Sequence, residues 1–398
     1  MSERRRLPVT VLVLGTASLL TDLSSEMIYP LLPVFLATLL GAGAAALGAI
    51  EGAAEATASL LKIVSGRVAD KMQRRKPLVI GGYTISGAAR PLIGLAGVWP
   101  VVLALRVLDR VGKGVRTSPR DALIADVTPL DRRGRAYGLH RAMDNAGAVL
   151  GPLAAVMLLG FGFSTRQVFY AAAVPGVLVL LVLAFGVREK PRQIPAVPPR
   201  DPGTPAPRTS LGELGPTYRR LLLVIVLFTL GNSSDTFLLL RLSHAGLGER
   251  DIALAWSAHS VMRTLAVLVG GRLADRVDRR KLLAAGWVIY AAVYVAMALF
   301  HSAPALVTLL VLYGIYYGAA EPTERAIVAD LAPARLRGSA FGWYHGAVGI
   351  AALPASALFG LIWLRFSAPA AFVTGAVLAM FALCGLAFAV GAPSPAAD

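Results

Sequence analysis

A chain of 398 residues that is 56% hydrophobic and only 16% charged lacks the polar residues to cover a soluble surface, since soluble domains carry roughly 25% charged residues. Its formal net charge of +16 would suggest nucleic acid in a soluble protein, but the Lys and Arg residues fall mostly in alternate loops between apolar runs, so membrane topology accounts for them better. The single cysteine, Cys384, excludes an intrachain disulfide and a cysteine metal centre.

A spanning helix needs about 20 apolar residues, and the mean hydropathy of +0.65 leaves room for many. In chain order the apolar runs are 9–39, 45–65, 77–98, 99–125, 136–159 and 168–187, each bounded by polar or basic residues. The basic N-terminus MSERRR precedes the first run without a small-residue cleavage site, so that run reads as an uncleaved span. A Pro- and Arg-rich stretch, Arg188–Arg208, follows with almost no apolar content and reads as a flexible linker. Six more runs follow: 220–240, 252–269, 282–300, 305–328, 340–364 and 369–390.

The expected architecture is therefore an all-α membrane protein with twelve transmembrane helices. Its parts are an N-terminal six-helix bundle over 1–187, a linker over 188–218 and a C-terminal six-helix bundle over 219–398. Arg74–Lys76, Arg132–Arg135, Arg279–Lys281, Arg335 and Arg337 fall on the same side as the linker. The opposite loops carry few cations. The positive-inside rule then places both termini and the linker in the cytoplasm, with the inner cell membrane as the compartment.

The two halves repeat. GRVADKMQRRK at Gly66–Lys76 returns as GRLADRVDRRK at Gly271–Lys281, an offset of 205 residues. Ala125-Asp126-x-x-Pro129 with Arg133-Gly134-x-Ala136-Tyr137-Gly138 returns as Ala329-Asp330-x-x-Pro333 with Arg337-Gly338-x-Ala340-Phe341-Gly342, an offset of 204. Two separate matches in nearly one register mark an internal duplication. A weaker parallel joins Ser24-Ser25-Glu26 to Ser233-Ser234-Asp235.

These loop motifs, the twelve runs and the central linker resemble the major facilitator superfamily over essentially the whole chain. The family loop signature Gly-x-x-x-Asp-Arg/Lys-x-Gly-Arg-Arg/Lys is matched by Gly66, Asp70, Lys71, Arg74 and Arg75, and by Gly271, Asp275, Arg276, Arg279 and Arg280. Gln73 and Asp278 stand where the family has its inner glycine. The resemblance implies two pseudo-symmetric bundles working by alternating access, with every third span an outer support. It also implies a cytoplasmic gate: Asp70 and Arg74 meeting Asp126 in one half, and Asp275, Arg279 and Asp330 mirroring them in the other. Gly66 and Gly271 belong to the same motif. Arg75 and Lys76 read instead as positive-inside anchors.

Ionisable residues inside the runs are sorted in keeping with that implication. The first carries Asp22 and Glu26, the second Glu51, Glu55 and Lys62, and the fourth Arg106, Asp109, Arg110 and Lys113. The second half carries Asp235, His259, Arg263 and Glu321, whereas runs six, nine and twelve have none in their interiors. Each Asp, Lys or Arg at mid-span costs about 2.5–3.5 kcal/mol on insertion scales, so the fourth run cannot face lipid on all sides. Asp22, Glu26 and Tyr29 share one helical stripe, as do Arg106, Arg110 and Lys113, and Glu51 and Glu55 form an i, i+4 pair.

These spacings suggest that Asp22 and Glu26 pair with Arg106 and Arg110 across a cavity, one carboxylate taking up a proton during transport. A permanent structural ion network is the competing reading. Asp235, His259, Arg263 and Glu321 are further cavity candidates, with Glu321 also spaced to pair with Arg325. Arg106 in Arg-x-x-Asp-Arg-x-Gly-Lys-Gly resembles the arginine of proton-coupled antiporters, although Arg110 stands where those carry glycine.

There is no phosphate loop and no His-Glu-x-x-His, so the chain is not read as an enzyme; no cofactor and no metal are expected. The expected function is proton-coupled export of a small solute by antiport. Proton-coupled uptake of an organic anion, and a non-transporting membrane sensor, are the alternatives. The expected partners are the solute, protons and the lipid bilayer, not nucleic acid, with the chain acting as a monomer.

Overall fold

The structure is a computed structural model that describes residues 7–32, 35–41, 44–187, 189, 191, 210–232, 235–247 and 249–389. Most of the expected linker, and the side chain of Glu51, lie outside the described residues. Among the described residues the chain is helical, without strands.

The first half holds α1 (Val9–Ile28), α2 (Ala44–Lys71), α3 (Lys76–Leu92), α4 (Trp99–Val127), α5 (Arg133–Gly160), α6 (Thr165–Ala171) and α7 (Ala173–Gly186). After the short α8 (Ser210–Glu213) come α9 (Gly215–Gly231), α10 (Thr236–His244), α11 (Glu249–Leu273), α12 (Arg279–Leu299), α13 (Ala303–Leu331), α14 (Arg337–Arg365) and α15 (Ala368–Ala389).

Two expected spans are divided. The run at 168–187 breaks at Ala172, because Pro175 offers no N–H to the carbonyl of Ala171 and its ring crowds that carbonyl. The run at 220–240 breaks after Gly231, where Asn232 takes an extended conformation with φ −93° and ψ 91° and α10 begins at Thr236.

Eight described helices, some with a flanking 3-10 turn, are long and apolar enough to cross a membrane, against the twelve spans expected. The helices that fall short by composition include α2, α4 and α11, which carry the ionisable residues. On α4 those residues are turned inward: Arg106, Asp109, Arg116, Arg120 and Asp121 are all buried. By contrast Phe185, Leu364 and Phe388 are more than 80% exposed, as suits side chains facing lipid.

Two compact units form. One comprises Met1–Leu130, Leu139–Ser210 and Pro333–Gly346; the other comprises Asp131–Gly138, Leu211–Ala332 and Ala347–Asp398. Each unit thus takes in the first turns of a helix whose remainder belongs to the other: the start of α14 in the first unit, the start of α5 in the second.

Close helix approach organises both units. A Cβ on Gly112 of α4 would fall 2.5 Å from the carbonyl oxygen of Gly82 on α3, and one on Gly114 would fall 2.6 Å from Cβ of Leu61 on α2. Only glycine permits backbones to pack this tightly.

Candidate functional site

In the first unit a cavity of about 330 Å³ is lined by Asp22, Ser25, Glu26 and Tyr29 from α1 and its 3-10 extension, by Glu55 from α2 and Arg90 from α3, and by Arg110, Lys113 and Arg116 from α4. The i, i+4, i+7 stripe of α1 presents Asp22, Glu26 and Tyr29 together. The structure thus brings Asp22, Glu26, Glu55, Arg110 and Lys113 to one polar chamber.

The expected pairing is different. No ion pair joins Asp22 or Glu26 to Arg106 or Arg110 among the described residues. Instead Asp109, wholly buried, accepts from Arg90 Nε at 3.0 Å and from Arg106 Nη1 at 3.5 Å. Arg90 also donates to the carbonyl of Thr21 at 2.7 Å. The physical reason is proximity within the bundle: Asp109 lies one turn from Arg106 on α4, and Arg90 reaches it from the neighbouring α3. Burying a guanidinium is unfavourable unless it is paired and hydrogen-bonded, and Arg90 is both. Arg116 donates to Ser86 Oγ at 2.7 Å and lies over the Tyr83 ring at 4.5 Å. Glu55 sits 3.8 Å from Lys62 on its own helix.

A second buried network lies in the same unit. Ser18 donates to Asp144 at 2.5 Å, Arg141 also pairs with Asp144, and Arg120 contacts both Ser18 and Asp121. Asp121 is completed by His345 Nε2 at 2.7 Å, from the first turns of α14.

The repeated loops build two matching clusters. In the first unit Asp70 accepts from Gly338 N at 2.8 Å and Ser339 N at 2.6 Å, the first free N–H groups of α14. In the second unit Asp275 accepts from Gly134 N at 2.7 Å and Arg135 N at 2.9 Å, at the start of α5. Each carboxylate caps a helix from outside its own chain segment, where N–H groups and helix dipole both favour an anion. Burial raises the Asp275 carboxyl above its ordinary range, and the two N–H donors and Arg279 act the other way. The signature glycines let the elements meet. A Cβ on Gly66 would fall 2.8 Å from the carbonyl carbon of Gly338, and one on Gly271 would fall 2.6 Å from the carbonyl oxygen of Gly134.

Arginine completes each cluster. Arg75 pairs with Asp70 at 3.0 Å and with Asp126, which also accepts from Arg337 at 2.7 Å. Arg279 pairs with Asp330 and lies 3.5 Å from Asp275, and Asp330 also accepts from Arg133 at 2.6 Å. The expected Arg74 is not the participant: it is exposed, and Arg75, expected to be a mere anchor, is fully buried in its place. The two loops are equal in length, each with adjacent arginines four and five positions after its aspartate; the second of the pair takes part in the first loop and the first of the pair in the second.

In the second unit, Asp235 accepts from Tyr317 Oη at 2.8 Å and Tyr313 Oη at 3.2 Å. Arg263 pairs with Glu321 at 2.6 Å and stacks over Tyr317 at 3.7 Å. His259 contacts the Leu310 carbonyl through Nδ1 at 2.9 Å.

The Major Facilitator Superfamily family model matches residues 14–249 and 221–398. The chain belongs to the major facilitator superfamily. It is 34% identical over 383 residues to an uncharacterised MFS-type transporter of Methanocaldococcus jannaschii, covering 94% of each chain. It is 26% identical to the multidrug resistance protein MdtH of Cronobacter sakazakii, over 84% of this chain and 83% of that one. Two solved structures share its fold. The human organic anion transporter MFSD10 has a TM-score of 0.79 at 18% identity, covering 97% and 100% of the two chains. The Escherichia coli fucose:proton symporter FucP has a TM-score of 0.76 at 15% identity, covering 95% and 98%. As a facilitator the chain is a multi-pass membrane transporter of a non-enzymatic kind.

Sequence reasoning left out some residues that this facilitator places in the cavity or in the loop clusters. Arg90 falls on the third run, an outer support by the family resemblance; the signal available was the Arg90-Pro91 pair, a lone charged residue within an otherwise apolar run. Arg116 continues the basic stripe of α4 one turn past Lys113. Arg75 was hidden by its neighbour, since the pattern of the second half points to Arg74.

Proposed function

We propose that this facilitator is a proton-coupled exporter of a small solute, working by alternating access, with Asp22 and Glu26 as the carboxylates that carry the proton. The observation that carries this reading is the contrast between carboxylates in one unit. Asp109 is locked between two arginines, whereas Asp22 and Glu26 line a chamber and have no ion-paired arginine or lysine among the described residues. A carboxylate held by a guanidinium resists protonation, and one without it can exchange a proton with the chamber. Similarity to the MdtH multidrug resistance protein favours export, and the fucose:proton symporter shows the fold coupled to protons.

In the same reading the chain makes twelve spans in two six-helix bundles, 1–187 and 219–398, in the inner cell membrane, with both termini cytoplasmic and the protein acting as a monomer. The charged helices α2, α4 and α11 and the divided α9–α10 supply the spans beyond the eight apolar ones. The Asp70–Arg75–Asp126 and Asp275–Arg279–Asp330 clusters form the cytoplasmic gate. Bonds of this kind total a few kcal/mol, an amount that solute and proton binding can tip.

The test is flux in proteoliposomes holding a pH gradient, followed with an internal pH dye, against a panel of small organic cations, anions and neutral solutes. The expected result is that at least one solute runs down the gradient in exchange for protons. Co-transport of an anion with protons would favour uptake, which the cations Arg110, Lys113 and Arg116 in the chamber would suit. No solute-dependent proton movement across the panel would overturn proton coupling.

A further inference from the structure

The second unit contains a carboxylate whose surroundings are unlike those of the other acids described above. Asp235 precedes α10 at the N-cap position, where an aspartate ordinarily accepts from its own helix. It makes no such bond. Its carboxylate turns to α13 and accepts from the phenols of Tyr317 and Tyr313. No Lys, Arg or His forms an ion pair with it among the described residues. The nearby Arg263 is engaged by Glu321, so the local groups leave one net negative charge at Asp235.

That charge lies against aromatic rings. Trp256 stacks on His259 with centroids 4.9 Å apart, and His259 stacks on Tyr313 at 5.6 Å. Tyr316 and Tyr317 lie 4.8 Å apart. Asp235, Trp256 and Tyr317 are half-buried, so the cluster is open at that side and is not sealed core. A second polar group is unfilled. His259 is wholly buried; its Nδ1 must donate to the Leu310 carbonyl, which leaves Nε2 as an acceptor, and that atom has no hydrogen-bond partner. An unfilled acceptor, a lone carboxylate and electron-rich ring faces all select the same kind of guest. That guest is positively charged and apolar over most of its surface. The cluster also flanks the break between α9 and α10, and broken helices mark substrate sites in secondary transporters.

We propose that Asp235, with the half-buried rings of Trp256 and Tyr317, forms a binding site for a lipophilic organic cation, the buried Tyr313 serving to hold the carboxylate. The site rests on the transporter reading above and names its substrate class. Asp235 supplies the countercharge; its two phenol donors fix the carboxylate in place. Trp256 and Tyr317 supply the ring faces, and His259 Nε2 accepts from a guest N–H where one is present. Exchange of such a cation for a proton would move one positive charge each way.

The experiment uses the full-length purified protein in detergent, without any gradient. Equilibrium binding of tetraphenylphosphonium is measured, and binding of tetraphenylborate, an anion of nearly the same shape, is measured separately. The expected result is saturable binding of the cation in clear preference to the anion. Affinity for the cation should fall at least about tenfold in Asp235→Asn and in Trp256→Leu, and Asp235→Glu should retain most of it. Should Asp235→Asn not fold, Trp256→Leu and Tyr317→Leu, each of which removes a ring and should lower affinity by a similar factor, carry the test, with monodispersity as the control. Equal binding of cation and anion, unchanged affinity in the folded variants, or no binding to the wild-type protein would each overturn the site. Because no proton movement is measured, the two failures separate. A protein that exchanges protons for another solute yet ignores tetraphenylphosphonium loses only this site.

Discussion

Asp70→Asn is the sharpest perturbation of the proposed gate. The substitution keeps the shape and one acceptor oxygen but removes the charge. Asp70 accepts from Gly338 N at 2.8 Å, Ser339 N at 2.6 Å and Arg75 at 3.0 Å. A charge-assisted hydrogen bond contributes about 1.5–3 kcal/mol, and an asparagine can replace only part of three. A net loss of about 2 kcal/mol of closure is expected, allowing for the remaining acceptor and for Asp126, which still holds Arg75. That loss shifts a closed–open equilibrium roughly thirtyfold toward open. The assay is electron–electron distance spectroscopy between spin labels at Val68→Cys and Arg335→Cys, two exposed positions, in a Cys384→Ser background. The long-distance population should rise from minor to major in Asp70→Asn, and Asp275→Asn should do the same in its own cluster. An unchanged distance distribution with the protein well folded would refute the latch.

Arg75→Ala should lower thermal stability and gate closure by about 3–5 kcal/mol, since it leaves Asp70 and Asp126 short of a buried partner, whereas exposed Arg74→Ala should stay within about 0.5 kcal/mol; thermal melts of the pair decide it. Gly66→Ala should cost about 1–3 kcal/mol because its Cβ meets the Gly338 carbonyl, while Gly81→Ala, with nothing within 4 Å, should be neutral or slightly stabilising. Arg90→Ala should destabilise strongly, leaving wholly buried Asp109 with Arg106 at 3.5 Å. Arg90→Lys should restore part of the loss, and equal melting temperatures for all three proteins would contradict the network.

The sequence carries the family and the paired loop clusters because both are written in local patterns. The duplicated Gly-x-x-x-Asp loops require a glycine for close approach and an acid to meet helix N–H groups, and these needs act over a few residues. The identity of the gate arginine was not legible. Both loops carry adjacent arginines at the same spacing from the aspartate, so spacing alone does not tell which of the two turns inward, Arg75 in the first loop and Arg279 in the second. The chamber was half legible. Depth and helical stripes place Asp22, Glu26, Glu55, Arg110 and Lys113 together, but partner choice is a matter of inter-helix geometry. Asp109 takes both Arg90 and Arg106 because α3 and α4 pack at Gly82 and Gly112, a contact between residues thirty apart in sequence. The aromatic surroundings of Asp235 were visible only as scattered Tyr and Trp residues, which packing and interfacial anchoring explain equally well from sequence.

The central claim is that Asp22 and Glu26 couple solute movement to protons. Its most direct test compares two fluxes of one transported solute in proteoliposomes carrying the Asp22→Asn/Glu26→Gln protein: movement driven by an imposed pH gradient, and counterflow with no gradient. Loss of gradient-driven movement with counterflow retained is the predicted result, because the carrier still rocks but no longer carries protons. Gradient-driven movement at the wild-type level would contradict the account.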